Sequence, residues 1–414
     1  MGFYKDSLGV EILRYLNHAG QIPRKNLYTP FIGYAYRYYA RVVKQLIEEE
    51  YLSVARYNRV NCVAITDKGK AQLADLFSED EEMSRNIQEE KKTAYTPKQK
   101  KRQKLVSDME GLCQANGFWT SAADKPSLTT LMKGTQETKD ESLFKEAVNN
   151  GVYYSMGEIR SAYIEVIGKN EIANWTRLIG VLFFKGHLSF LYSVDKTLIK
   201  WMATNEQRSV DFIINFLKMS PVIAKHIRFF DHPTCIVCGE GMTMVPKLVT
   251  GRKWGRTDGN TNSERYKAKF ASTHINSYNL SKIFCTAYYV PCNKAGVDIF
   301  RLASILSESV RERAADSWFT SVQTAMRLNT LSYHQGVTTN GKHERVVYIP
   351  CVDLIELDFL KKQNTPCHIV APKGTQQAIA RTLGPLVLSI RSLEGEKLEY
   401  KQYNEYGAPV DLSS

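Results

Sequence analysis

Between Ser7 and Phe77 the hydrophobic pattern runs from a helix to a longer helix, then to a hairpin and back to a helix. No other feature constrains the fold of this chain as strongly. Leu8, Ile12, Leu13 and Leu16 recur on one helical face, which Gly20 ends. Pro23 is expected to open a short second helix. After Gly33, the segment Tyr34 to Glu50 puts Tyr39, Val42, Val43, Leu46 and Ile47 on an apolar stripe. Tyr36, Arg37, Arg41 and Lys44 project from the other side. Tyr51-Leu-Ser-Val-Ala55, the polar turn Arg56-Tyr-Asn-Arg59 and Val60 to Ile65 then read as a hairpin with arginines at its tip.

The outward residues of the long helix suit a duplex: arginine pairs bidentately with guanine edges, while lysine and tyrosine hold phosphates. This stretch resembles the broad winged-helix family of bacterial DNA-binding proteins. The likeness is clearest in Tyr51-Leu52, the hairpin and Ile65-Thr66-x-x-Gly69-x-x-x-Leu73. It implies that Thr66 caps the closing helix and that Gly69 lets this helix pack against the wing. Winged helices also serve as protein-docking modules, and Arg37, Arg41 and Lys44 can equally be a solvated face balanced by Glu48 to Glu50.

A chain of 414 residues with 43% hydrophobic content is expected to form two or three domains with real cores. Its net charge of +12 favours an acidic partner, of which nucleic acid is the commonest. No apolar run reaches the roughly 18 to 20 residues of a membrane span, and Met1 to Asp6 carries no signal-peptide core, so a cytoplasmic location is expected. Of the eight cysteines, Cys62, Cys285, Cys292, Cys351 and Cys367 sit in apolar, strand-like runs and read as reduced core residues, not as a disulfide framework.

After the winged helix at 1–77, apolar periodicity disappears over 78–104. An acidic block, Glu79 to Glu82, gives way there to Lys91-Lys92 and the basic run Lys98 to Lys104, a linker or solvated helix that can also follow a DNA backbone. A mostly helical connecting segment follows over 105–170, in which Ser155-Met-Gly-Glu158 has capping-box spacing.

Residues 171–414 read as an α/β domain with a mostly parallel sheet. Leu178 to Phe184, a Lys185-Gly186 turn and His187 to Val194 give two strands, and Leu198 to Trp201 a candidate third. Strand-then-helix units follow at Thr234 to Val249, Ala287 to Ile305, Arg345 to Lys362 and Cys367 to Leu383, each with a Gly or Pro break. Tyr-[Val/Ile]-Pro-Cys, shared by the second and third units, hints at a duplication. In a single open sheet, the loops at Gly239 to Gly241, Asn293 to Gly296, Val352-Asp353 and Lys373-Gly374 would sit together. The polar insertions Gly251 to Lys269 and Gly336 to Arg345 are either surface loops or second nucleic-acid contacts.

Cys235-x-x-Cys238 with His232 invites a zinc reading. On a strand, however, residues three apart face opposite ways, and Cys285 and Cys292 would lie ~23 Å apart at about 3.3 Å per residue. No phosphate loop, dinucleotide fingerprint, His-hydrophobic-His pair or His-x-x-Arg motif is present. The overall layout is similar to the replication-relaxation proteins of plasmids and conjugative elements, whose later domain resembles restriction-endonuclease folds. That likeness implies carboxylates and a lysine holding a metal beside the scissile phosphate, for which Glu158, Asp195 and Glu206 are the candidates. The Pro-Asp and [Asp/Glu]-x-Lys pairing is missing, and the same carboxylates can simply cap strands and helices.

The resulting expectation is a non-enzymatic, cofactor-free protein of a bacterial mobile element, acting on double-stranded DNA in replication, mobilisation or transcription control. Its contacts would be Tyr36, Arg37, Arg41, Lys44, Arg56 and Arg59, and other replication or mobilisation proteins are further candidate partners. The alternative is a divergent nuclease or relaxase-like enzyme using Mg or Mn.

Overall fold

The computed structural model describes residues 4, 7–24, 26–57, 60–78, 97–121, 125–134, 137–168, 176–194, 199–227, 233–250, 274–305, 326–330, 333–337, 343–392, 402–403 and 409–410.

The N-terminal unit runs α1 (Leu8–Ala19), β1 (Gln21–Pro23), a 3-10 turn (Thr29–Phe31), α2 (Tyr36–Glu48), β2 (Leu52–Tyr57), β3 (Val60–Ile65) and α3 (Asp67–Leu76). Ser7 caps α1 by accepting from the Val10 amide, and Gly20 ends it at a φ of 82°. Leu8, Leu13, Leu16, Val42, Val43, Leu46 and Leu73 fill one core, each worth about 1.5–3 kcal/mol when fully buried. Pro23 does not open a helix. It pairs with Cys62 as the end of β1, in a three-stranded antiparallel sheet of order β1-β3-β2, and only the single turn around Pro30 follows.

Helix α4 (Pro97–Ala115) crosses the expected boundary at residue 104 and joins this unit to the rest. Ser107 and Gly111 face the N-terminal unit. Met109, Leu112 and Cys113 pack in a core with Leu182, Leu191 and Cys238.

Two five-stranded sheets follow. The first comprises β4 (Val152–Ser155), β5 (Gly180–Phe184), β6 (His187–Ser193), β7 (Thr234–Gly239) and β8 (Thr286–Pro291), in that spatial order. Its helices are α5 (Leu128–Lys133), α6 (Glu137–Asn150), α7 (Met156–Ile167), α8 (Ala203–Lys218), α9 (Pro221–His226), α10 (Val245–Thr250), α11 (Ser277–Leu280) and α12 (Gly296–Ala303). The second sheet comprises β9 (Met326–Thr330), β10 (Tyr333–Val337), β11 (His343–Tyr348), β12 (Cys367–Ala371) and β13 (Val387–Ser392), with α13 (Leu354–Gln363) and α14 (Gln376–Leu383). A small pair, β14 (Gln402–Tyr403) and β15 (Pro409–Val410), ends the described chain.

Each sheet joins its first three strands antiparallel and its last three parallel. The chain is therefore mixed α/β, with parallel pairing confined to one side of each sheet and not dominant throughout. The expected Lys185-Gly186 turn is present, with φ of 52° and 81°, the doubly left-handed geometry that a tight hairpin requires. Of the candidate third strand, Leu198 lies outside the described residues, Lys200 forms an isolated bridge with His274, and the Ile199 carbonyl accepts from the Ile275 amide at 3.0 Å. The polar insertion at Gly336 to Arg345 belongs in part to the β10–β11 hairpin, where Gly336 opposes Glu344.

The layout is repeated. In both halves the residue after the third strand donates its amide to the fourth: Val194 to the Cys238 carbonyl at 2.7 Å, and Ile349 to the Val370 carbonyl at 2.8 Å. The shared Tyr-[Val/Ile]-Pro-Cys does not mark equivalent strands, because it ends the fifth strand of one sheet and the third of the other. The two copies lie side by side instead: the Tyr289 amide donates to the Val352 carbonyl at 2.8 Å, and Tyr288 bridges Asp353. Val352-Asp353 thus extends the edge of the first sheet, and Lys373-Gly374 belongs to the second. Of the four loops expected together, Gly239 to Gly241 and Asn293 to Gly296 adjoin, through the Cys292 amide on the Gly239 carbonyl at 2.6 Å, and Tyr289 links Gly241, which accepts from its hydroxyl, to Val352, which accepts from its amide.

Candidate nucleic-acid interface

Helix α2 is amphipathic about a fixed core. Tyr39, Val42, Val43 and Leu46 are buried, and Tyr36, Arg37, Tyr38, Arg41 and Lys44 are exposed. The helix is held from below by aromatic rings: Tyr28 meets Tyr39 at 4.9 Å and Tyr36 at 5.2 Å between centroids, and Phe31 stacks on Tyr39 at 5.9 Å. Burial pushes the Tyr39 phenol well above its usual range. The approach to α2 is fixed by Tyr28, whose hydroxyl donates to the Tyr34 carbonyl at 2.8 Å, and by Tyr34, whose hydroxyl donates to Glu11 Oε1 at 2.9 Å.

The outward face presents charge without burying it. Arg41 lies over the Tyr38 ring at 5.5 Å, and Lys44 pairs with Glu48 at 3.4 Å, both side chains being largely in solvent, where such pairs are weak and screened. The first turn of α2 carries no acid and its N-cap residue, Ala35, makes no side-chain cap, so negative charge does not oppose a phosphate there. Arg56 is exposed on β2 opposite Asn61. Arg59 lies outside the described residues.

The end of α2 and the hairpin are clamped to α3. Thr66 accepts from the Gly69 amide at 3.1 Å, and its hydroxyl lies 2.7 Å from the Glu50 carbonyl and 3.0 Å from that of Tyr51. A Cβ on Gly69 would sit 2.6 Å from the Tyr51 carbonyl oxygen, so only glycine permits this approach. Both roles match those implied by the motif. Sequence reasoning omitted Tyr38, which is 42% exposed, and the exposed Arg24, whose charge acts on Tyr39. Tyr38 is one residue from the buried stripe, a position that a helical projection separates; Arg24 lies in a turn that periodicity does not describe.

The carboxylates of the nuclease alternative have other work. Glu158 completes the capping box: its Oε2 accepts from the Ser155 amide at 2.7 Å and hydroxyl at 2.9 Å, and its Oε1 pairs with the buried Lys125 at 2.6 Å. Glu206 is almost wholly buried, accepting from Thr176 Oγ1 and the Arg177 amide at 2.7 Å each and from the Tyr192 hydroxyl at 3.3 Å. Burial raises its pKa, with those three donors acting in the opposite direction. The partners of Glu158 and Glu206 do not overlap, and Asp195 lies outside the described residues. Among the described residues no group of three His, Cys, Asp or Glu side chains could hold a metal ion, and the two described carboxylates do not fit one. On β7, Cys235 and Cys238 enter opposite cores, as strand geometry requires; His232 is not among the described residues.

Set beside known proteins, the chain matches no family model, no curated protein and no solved structure. Among the described residues no helix is long and apolar enough to cross a membrane.

Proposed function

We propose that this chain is a double-stranded DNA-binding protein in which α2 acts as the recognition helix of a winged helix-turn-helix, with the β2–β3 hairpin as its wing. The observation that carries this reading is the arrangement of α2. Its apolar face is locked into a core, while Tyr36, Arg37, Tyr38, Arg41 and Lys44 are offered together to solvent. A rigid helix that presents arginine forks can read base edges, and the net charge of +12 supports backbone attraction. The two five-stranded sheets then serve assembly or sensing, and the likeness in layout to replication-relaxation proteins supports a role in the replication, mobilisation or transcription control of a bacterial mobile element, in the cytoplasm. The separate engagements of Glu158 and Glu206 disfavour the metal-dependent nuclease.

The test is to enrich random duplex DNA on the full chain and sequence what is retained. One recurring site supports the reading. Retention without any sequence preference, or none at all, rejects it.

A further inference from the structure

Tyr36, the first residue of α2, is 63% exposed and yet held in place. Its ring meets Tyr28 edge-on, with centroids 5.2 Å apart and an interplanar angle of 85°, and lies 6.3 Å from the ring of Tyr39. Both supports are fixed in their turn: the Tyr28 hydroxyl donates to the Tyr34 carbonyl at 2.8 Å, and Tyr39 is buried in the core of the N-terminal unit. Among the described residues the Tyr36 hydroxyl has no hydrogen-bond partner and no cation lies over its ring, whereas Arg41 covers that of Tyr38 at 5.5 Å. We propose that Tyr36 reads a thymine, its ring packing on the C5-methyl group in the major groove of the site that α2 binds.

Position and chemistry both support this. The N-terminal residues of a recognition helix are the ones that reach base edges, and Tyr36 stands at that end of α2. In the major groove every base edge offers hydrogen-bonding groups, and the thymine methyl is the apolar feature among them. An exposed ring gains by covering that methyl. Aromatic pairs such as Tyr28 with Tyr36 are favourable beyond the area they bury, so the ring is ordered before DNA arrives and loses little freedom on binding. Arg37 and Arg41 carry the guanidinium forks that suit guanine, and α2 then holds readers for both kinds of base pair. A phosphate bond through the hydroxyl is the competing use of a tyrosine; it needs the oxygen, whereas the methyl contact needs only the ring. The identity of the ligand rests on the DNA-binding reading above.

The experiment takes the site that the full chain enriches from random duplex DNA and replaces each thymine in turn by deoxyuridine, which removes the methyl and keeps every hydrogen-bonding group. Affinity is measured for the wild type, Tyr36→Phe and Tyr36→Ala, and thermal unfolding checks that each variant is folded. In the wild type one replacement is expected to weaken binding about fourfold, the equivalent of about 0.8 kcal/mol for one buried carbon group at about 1.4 kcal/mol per tenfold. Tyr36→Phe should keep that response and Tyr36→Ala should lose it. If no replacement weakens the wild type, or if Tyr36→Ala responds as the wild type does, thymine reading by Tyr36 is overturned while the DNA-binding reading stands. Loss of the response in Tyr36→Phe would also overturn it, since the hydroxyl and not the ring would then make the contact. Failure to enrich any site overturns both readings.

Discussion

The Tyr15 hydroxyl donates to the Ser107 carbonyl at 3.1 Å across 92 positions of chain, and the Ser107 hydroxyl donates in turn to the Ala19 carbonyl at 3.0 Å. Both groups are buried, and Asn26 adds a bond to Asp108 on the same helix. Helix α4 is thus no passive tether. It fastens the N-terminal unit to the first sheet, so that α2 is presented in one orientation relative to the α/β part.

Tyr15→Phe should therefore cost about 0.5–1.5 kcal/mol, the net worth of one intramolecular hydrogen bond, because the Ser107 carbonyl keeps its helical partner within α4. Chemical denaturation of the full chain measures it. A loss below a few tenths of a kcal/mol would mean that the bond does not hold the units together.

Gly111→Ala tests the same junction sterically. Its Cβ would approach Tyr15 Oη to 2.9 Å. Alanine is the better helix former by about 1 kcal/mol, so a net destabilisation shows that docking outweighs propensity, and a net gain shows that it does not.

Gly69→Ala places a methyl 2.6 Å from a backbone oxygen, where no side chain can yield. Overpacking of this kind costs about 1–3 kcal/mol. The expected result is a lower melting temperature with weaker DNA binding, since α3 and the hairpin separate; a fully stable variant would contradict the clamp.

Glu206 gives a prediction with a sign. Burial raises its folded-state pKa above 4.5, so its contribution to stability is fully present below the unfolded value and is lost as pH rises through the folded one. The stability of the wild type minus that of Glu206→Gln should accordingly grow as pH falls from 7 towards 4.5. Paired denaturation curves at several pH values measure this difference, and a difference that shrinks on acidification would show a depressed pKa.

Much of this architecture was legible in the sequence, and the failures have physical causes. The four strand-helix units and the Ser155 capping box are local, set by spacing and by chemistry that acts over a few residues, whereas the roles of Thr66 and Gly69, which reach back to Glu50 and Tyr51, came from the family resemblance. The sheet order is not local. β5 and β6 are buried along almost their whole length, so they lack the alternation that distinguishes an antiparallel strand from a parallel one. The same continuous burial hid the division into two sheets, and a shared tetrapeptide pointed to the wrong pair of strands. At the candidate interface the outward face of α2 was readable from helical period, including Tyr36, Arg37, Arg41 and Lys44. The bonds that occupy Glu158 and Glu206 were only partly so, because Lys125, Thr176 and Tyr192 come from other elements.

Lys44→Ala and Arg56→Ala probe backbone contacts, as distinct from base reading. Each should weaken binding by a similar factor on every duplex and reduce the salt slope by about 1. A change in sequence preference in either variant would move that residue from the phosphates to a base edge.

The most direct test of the central claim is the affinity of Arg37→Ala and Arg41→Ala for the enriched site and for a scrambled duplex, measured at one salt concentration. If α2 reads the major groove, at least one variant loses about 1–3 kcal/mol on the site and much less on the scrambled duplex. Wild-type discrimination in both variants would contradict α2 as the recognition helix.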